Sequence, residues 1–281
     1  MIELAPTHKY GLSLPTPVMP AAGVFGYGDV YRDLLEEGVL GALVTNPISL
    51  RPRNVAQGQR ILTRGEQVLL HTGLPNAGAK AILRQYGKYW ERSPVPVIPH
   101  LVATTPAETS KAAVLLSAAR GVGGIELGLA ENVSEDKAVE LLHAAQDSGL
   151  PLIVQVPFSR VDALAPRLVE AGADALTLTA PPRAVLPLPD APEDKAESGT
   201  RLMRGRLYGP AVFPLLLNVL ARFAAPGANQ LHVPIIACGG VASPADALTC
   251  ISLGAAAVQV DVLVWRTPGV LREIAAAFKA L

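Results

Sequence analysis

Cysteine is almost missing from this chain: Cys238 and Cys250 are the only two among 281 residues. Two thiols build no disulfide framework, match no paired zinc spacing and supply no iron–sulfur cluster. An excess of either charge is missing too, because 24 Lys and Arg balance 24 Asp and Glu. Non-specific nucleic-acid binding needs a basic face to neutralise phosphates, so neutrality argues against that class. No apolar run reaches the roughly 18 residues of a membrane helix. The opening Met1-Ile2-Glu3-Leu4 lacks the basic stretch and apolar core of a secretory leader. Neither a Walker loop nor a Gly-x-Ser-x-Gly elbow occurs, and no His, Asp or Glu cluster has metal-ligand spacing, so no metal is expected. These absences predict a soluble, cytoplasmic chain with no nucleic-acid or membrane partner.

Apolar residues are plentiful. Half the chain is hydrophobic and 17% is charged, which excludes a disordered chain. One pattern recurs: a helical stripe, a glycine, then a short apolar strand. Thr109, Ala112, Ala113 and Leu116 precede Gly121 and Gly124-Ile-Glu-Leu127. Ala138, Leu141, Leu142 and Ala145 precede Gly149 and Leu152-Ile-Val154. Val161, Leu164, Ala165 and Leu168 precede Gly172 and Asp174-Ala-Leu-Thr-Leu-Thr179. Ala247, Leu248 and Ile251 precede Gly254 and Ala256-Ala-Val-Gln-Val260. Spacing of three and four places each stripe on one helical face, and glycine permits the left-handed helix end. Strands without polar alternation suit a parallel sheet covered on both faces. The pattern predicts strands near 17–22, 41–45, 95–101, 124–128, 151–156, 174–179, 233–238 and 256–260. It predicts helices near 27–38, 76–90, 106–120, 134–147, 160–171, 209–224, 243–252 and 265–280. Eight βα units in this length predict an α/β protein, a (β/α)8 TIM barrel forming a single domain over 1–281.

Two βα connections are long, near 46–75 and 180–208, and a barrel places both at its C-terminal mouth. The second, proline-rich, has a middle that is either ordered or mobile. Arg51, Arg53, Arg60 and Arg64 crowd the first, and Arg201, Arg204 and Arg206 the second. They predict either an entrance that attracts a small anionic substrate or a solvated basic rim. Pro234-Ile-Ile-Ala-Cys-Gly-Gly-Val241 is an apolar strand ending in Gly239-Gly240 and leading into a helix. Such a loop is either a phosphate cradle or a tight turn. His100, at the end of the third strand, is either a mouth residue or a hydrogen-bonded core histidine.

Met19-Pro-Ala-Ala-Gly-Val-Phe-Gly-Tyr-Gly28, Gly41-Ala-Leu-Val-Thr45, Gly73-Leu-Pro-Asn-Ala-Gly78, Tyr208-Gly-Pro-Ala211 and Ile235-Ile-Ala-Cys-Gly-Gly-Val241 occur in that order. Together they resemble the soluble class of the dihydroorotate dehydrogenase family, flavin enzymes on a (β/α)8 barrel. The resemblance implies an FMN-dependent oxidoreductase of pyrimidine biosynthesis that converts dihydroorotate to orotate, and a homodimer. It implies cofactor contacts at Ala22, Gly23, Asn46, Gln155, Gly209, Gly239 and Gly240. It implies substrate contacts at Asn76 and Asn132.

The chain also departs from the family pattern. The family's Thr-Lys after strand two is Thr45-Asn46, and its lysine at the end of strand five is Gln155. Its Asn-x-Ser-Cys-Pro-Asn after strand four is Gly128-Leu-Ala-Glu-Asn132, without the first asparagine or the cysteine or serine base. Its Gly-Thr after strand eight, whose amides hold the flavin phosphate, is Asp261-Val262. A carboxylate beside a phosphate disfavours binding unless it points away or is protonated. For the catalytic base, Glu131 is either a proton acceptor or a solvated loop glutamate. His71 is either a proton-transfer group or an ordinary loop histidine. The alternative function is a divergent family member without dehydrogenase activity, acting as a ligand-binding or partner protein.

Overall fold

The computed structural model describes residues 1–30, 32–188, 201–225, 227 and 231–280. Residues 189–200, on which the ordered-or-mobile expectation falls, lie outside the described residues. The barrel strands are β1 (Val18–Pro20), β2 (Leu43–Val44), β3 (Val97–Ile98 and His100–Val102), β4 (Ile125–Gly128), β5 (Leu152–Pro157), β6 (Ala175–Ala180), β7 (Ile235–Cys238) and β8 (Ala257–Val260). Between and after them run α1 (Arg32–Glu36), α2 (Ala79–Trp90), α3 (Pro106–Ser117), α4 (Glu135–Gln146), α5 (Val161–Glu170), α6 (Phe213–Phe223), α7 (Pro244–Ser252) and α8 (Val270–Lys279). Each element falls within, or within two residues of, its expected span.

Every barrel pairing is parallel. β8 lies between β7 and β1, and the ladder continues through β6, β5 and β4 to β3. β2 pairs with the first segment of β3, and the Gly41 amide donates to the Val18 carbonyl at 2.8 Å, which closes the ring. The fold is a TIM barrel.

The stripes read from the sequence are the buried faces. α3 buries Thr109, Ala112, Ala113 and Leu116, and α4 and α5 bury the four residues expected of each. α7 departs from expectation, burying Ala247 and Cys250 rather than Leu248 and Ile251. α1 is also shorter than expected, because Gly26 and Gly28, at φ 61° and 104°, hold the preceding residues in turns. Side-chain oxygens of Thr105, Ser134 and Ser243 cap α3, α4 and α7.

The barrel interior is layered. An antiparallel hairpin, Ile2–Glu3 with Ser13–Leu14, plugs the N-terminal end. Leu4, Leu12 and Leu14 pack there on inward residues such as Met19, Val44, Ile98, Ile153 and Ile236. Above that apolar layer the inward positions turn polar and lead to the mouth.

The two long connections are more than loops. Ile61–Arg64 and Gln67–Leu70 form a hairpin around Gly65-Glu66. Leu202–Tyr208 pairs with Gln67–Leu70 and with Arg183–Pro187, giving a four-stranded antiparallel sheet over the mouth. Val68, Leu70 and Tyr208 of this sheet pack on Val262 just after β8.

Candidate functional site

A cavity of about 530 Å³ opens at the C-terminal ends of the strands, beneath the antiparallel sheet. Every barrel strand contributes: Ala22 and Gly23 after β1, Asn46 after β2, Val102 in β3, Gly128 in β4, Gln155 in β5, Pro181 after β6, Cys238 in β7 and Val262 after β8. The covering loops add Arg53, His71, Arg183, Arg206 and Tyr208.

Of the expected cofactor contacts, Ala22, Gly23, Asn46 and Gln155 line this cavity. Asn46 carries a buried Oδ1 with no hydrogen-bond partner in the protein. A buried acceptor left unpaired is costly, so a ligand N–H is the natural donor to it.

Gly209, Gly239 and Gly240 do not line the cavity. A Cβ on Gly240 would lie 2.5 Å from the Phe213 amide nitrogen and 2.8 Å from the Gly209 carbonyl oxygen. Gly239 and Gly240 allow close packing of the β7 turn against Val212 and Phe213 at the start of α6, while Gly209 packs against Glu66 and Gln67 of the hairpin. Asp261 accounts for the amides. Its carboxylate accepts from the Gly240 amide at 3.1 Å and from the Leu263 amide at 3.3 Å, and the residue is 1% exposed. Burial pushes its carboxyl above the ordinary range, against the pull of these two bonds. An internal carboxylate therefore occupies donors from both the β7 and β8 turns, the turns expected to hold a phosphate. The ring end of a flavin fits this mouth, but its phosphate end does not.

Asn132 lines the cavity, but Asn76 does not. Asn76 accepts from the Gly78 amide at 2.9 Å and donates to the Leu74 carbonyl at 3.1 Å. It also bonds the Ser49 side chain. These contacts make it an organiser of its own loop.

Both expected bases line the cavity. His71 is exposed. Glu131 is neither solvated nor free: it accepts from Ser159 Oγ at 2.5 Å and pairs with Arg206 at 3.4 Å. Arg206 in turn donates to the Pro181 carbonyl at 2.6 Å. Burial pulls the Arg206 guanidinium below its usual range, and Glu131 is among the groups that oppose the shift. Of the rim arginines, Arg53 and Arg206 reach the cavity, and Arg51 pairs with Glu108 at 3.0 Å.

The polar floor was only partly read from sequence. His100 satisfies both alternatives at once, lining the cavity and bonding Glu126 at 2.7 Å. Glu126 was missed. Its signal was a carboxylate inside the apolar run Ile125-Glu-Leu127, at an inward position. Cys238 also faces the mouth, and burial together with Asp261 and Glu126 pushes its thiol well up. It stays protonated and is a poor nucleophile. Among the described residues no His, Cys, Asp or Glu cluster could hold a metal ion, and no helix is long and apolar enough to cross a membrane.

The sequence model of the family described as Dihydroorotate dehydrogenase matches residues 5–146 and 192–281. The catalytic subunit of dihydroorotate dehydrogenase B (NAD(+)) from Pelobacter propionicus is 32% identical, with 94% of this chain and 89% of that protein covered. The protein of the same description from Geotalea uraniireducens is 30% identical, covering 94% and 88%. Among solved structures, a dihydroorotate dehydrogenase from Eimeria tenella in complex with ferulenol superposes with a TM-score of 0.73. It is 16% identical, with 95% of this chain and 83% of that chain covered, and shows the shared fold.

Proposed function

The chain belongs to the dihydroorotate dehydrogenase family, and from that premise we propose that its mouth binds a small planar anion of the dihydroorotate class without loading FMN. The observation that carries this reading is Asp261, which takes the Gly240 and Leu263 amides for itself. A phosphate entering there meets a buried carboxyl group that already holds the Gly240 amide. The ligand side of the proposal rests on the cavity wall. Arg53, Arg183 and Arg206 supply positive charge for a carboxylate, while the orphan Asn46 Oδ1 and the Asn132 amide suit a cyclic amide. The reading of residues 1–281 as one domain, the homodimer and the cytoplasmic setting belong to the same proposal.

A second reading, FMN-dependent oxidation of dihydroorotate to orotate, is favoured by Ala22, Gly23, Asn46 and Gln155 lining the same cavity. One titration separates the two. The purified chain is incubated with excess FMN, dialysed and examined for flavin absorbance, and in parallel its thermal midpoint is followed against orotate and dihydroorotate. The first reading expects a colourless protein that either anion stabilises, by about 2.7 kcal/mol at a hundred times Kd. Stoichiometric retained flavin supports the second reading and overturns the first. No response to either anion removes the ligand assignment.

A further inference from the structure

β3, β4, β6 and β8 each turn one polar side chain inward beneath the mouth: His100, Glu126, Thr177 and Gln259. They meet at Glu126, which is completely buried. It accepts from His100 Nδ1 at 2.7 Å, Thr177 Oγ1 at 2.8 Å and Gln259 Nε2 at 2.6 Å. A bare carboxylate at this depth is prohibitively costly, but three donors and an adjacent imidazole compensate. Burial pulls the Glu126 carboxyl upward, yet those partners outweigh it and hold the group below the ordinary range. Glu126 is therefore an anion and a pure acceptor, so the proton between the pair sits on Nδ1 of His100. In a neutral imidazole that choice leaves the lone pair on Nε2. Nε2 lies over Gly128, where a Cβ would come within 2.3 Å of it. His100 and Gly128 both line the cavity, and the 7% of the His100 side chain that is exposed opens there.

We infer that His100 Nε2 is the proton acceptor of the mouth and that Glu126 is the residue that positions it. Of the other candidates, Glu131 is tied to Arg206 and Ser159, Cys238 is held as a thiol, and His71 is exposed to solvent rather than enclosed in the floor. The inference deepens the ligand reading above and rests on it for the substrate class, a cyclic amide with an acidic C–H beside a carbonyl. In the step, the ligand C–H bond breaks, its electron pair stays on the ligand as an enolate, and the proton forms a bond to Nε2. The imidazolium so formed faces the Glu126 carboxylate. Return of a proton from Nε2 to carbon restores both partners, and nothing is oxidised or reduced. Gly128 makes this possible, since any side chain there would occupy the place of the imidazole edge.

Two measurements test the assignment. Long-range proton–nitrogen correlation spectra of the histidine-labelled chain at pH 8 report the state of His100 directly and need no variant. The expected signature is a neutral ring with Nδ1 protonated, and Glu126→Gln, whose amide can donate as well as accept, abolishes that preference. A ring protonated at Nε2, or an imidazolium at that pH, overturns the inference. In the second measurement, dihydroorotate is incubated with the protein in heavy water without flavin, and deuterium entry at the carbon beside its carbonyl is followed by NMR. The wild type is expected to accelerate exchange over buffer. His100→Asn should lose roughly 10²-fold or more of that acceleration while still binding orotate. Exchange at the wild-type rate in His100→Asn, or binding without accelerated exchange in the wild type, overturns the inference. Failure to bind dihydroorotate at all defeats the ligand reading instead, and the ring signature alone then decides the role of His100.

Discussion

At the scale of single residues, this mouth is defined by two positions at which the resemblance implies a different residue. Asp261 stands in place of a glycine and closes its carboxylate on the Gly240 amide. Asp261→Gly frees that donor and removes the buried charge. FMN affinity, measured by quenching of flavin fluorescence, should rise tenfold or more, about 1.4 kcal/mol. Unchanged affinity would show that the carboxylate is not what excludes the phosphate. Gly128 is the second case, an open position that His100 fills. Gly128→Ala places a methyl group 2.3 Å from Nε2. It should cost about 1–3 kcal/mol in denaturant unfolding and move the His100 ring resonances, as overpacking forces the side chain aside. An unshifted histidine signal would contradict the placement of the ring. Both substitutions were visible in the sequence as departures from a pattern. What they touch was not: Gly240 lies 21 residues from Asp261, and no local spacing links them.

At the scale of elements, the helices and barrel strands were legible because the burial that makes them is local. Each helix writes its buried face at three- and four-residue spacing, and each barrel strand is covered on both sides. The glycines that end helices show how one motif carries two loads. Gly149 has φ 67° with nothing within 4 Å of an added Cβ, whereas Gly254 has φ 96° and its Cβ would lie 2.0 Å from the Ala224 carbonyl oxygen. Gly149→Ala should therefore cost only the left-handed backbone penalty, about 1–2 kcal/mol. Gly254→Ala should cost clearly more, because it also drives α7 and the end of α6 apart. Equal losses in urea unfolding would defeat this distinction. The antiparallel sheet over the mouth was less legible. Its hairpin had a signal in the two-residue Gly65-Glu66 turn. Its third and fourth strands, however, come from a connection more than a hundred residues later, so their pairing partners were invisible to local periodicity.

At the scale of the whole molecule, the barrel interior holds two buried carboxylates whose titrations pull stability in opposite directions. His100, Thr177 and Gln259 reach Glu126 across 26, 51 and 133 residues of chain, which is why the network could not be read from sequence. Glu126 is held below its ordinary value of 4.5 in the folded state. Its contribution is then complete above that value and is lost as pH falls through the lowered one. Asp261 is raised above its ordinary value of 3.8. Its protonated form is the favoured one, so its contribution is present below 3.8 and is lost as pH rises through the raised value. Wherever both groups are ionised, the fold therefore gains from one carboxylate and carries the burden of the other. Glu126→Gln should destabilise by about 3–5 kcal/mol at pH 7, as expected when one member of a buried pair is removed, and the deficit should narrow below pH 4.5. Asp261→Asn keeps an oxygen for the Gly240 amide without the charge. It should match or exceed the wild type in thermal midpoint at pH 7 and lose that advantage as the pH falls toward 3. Thermal unfolding of the three proteins between pH 7 and pH 3 decides the matter. Curves that approach the wild type from opposite sides as the solution is acidified support the two assignments, and curves that stay parallel to it throughout contradict both.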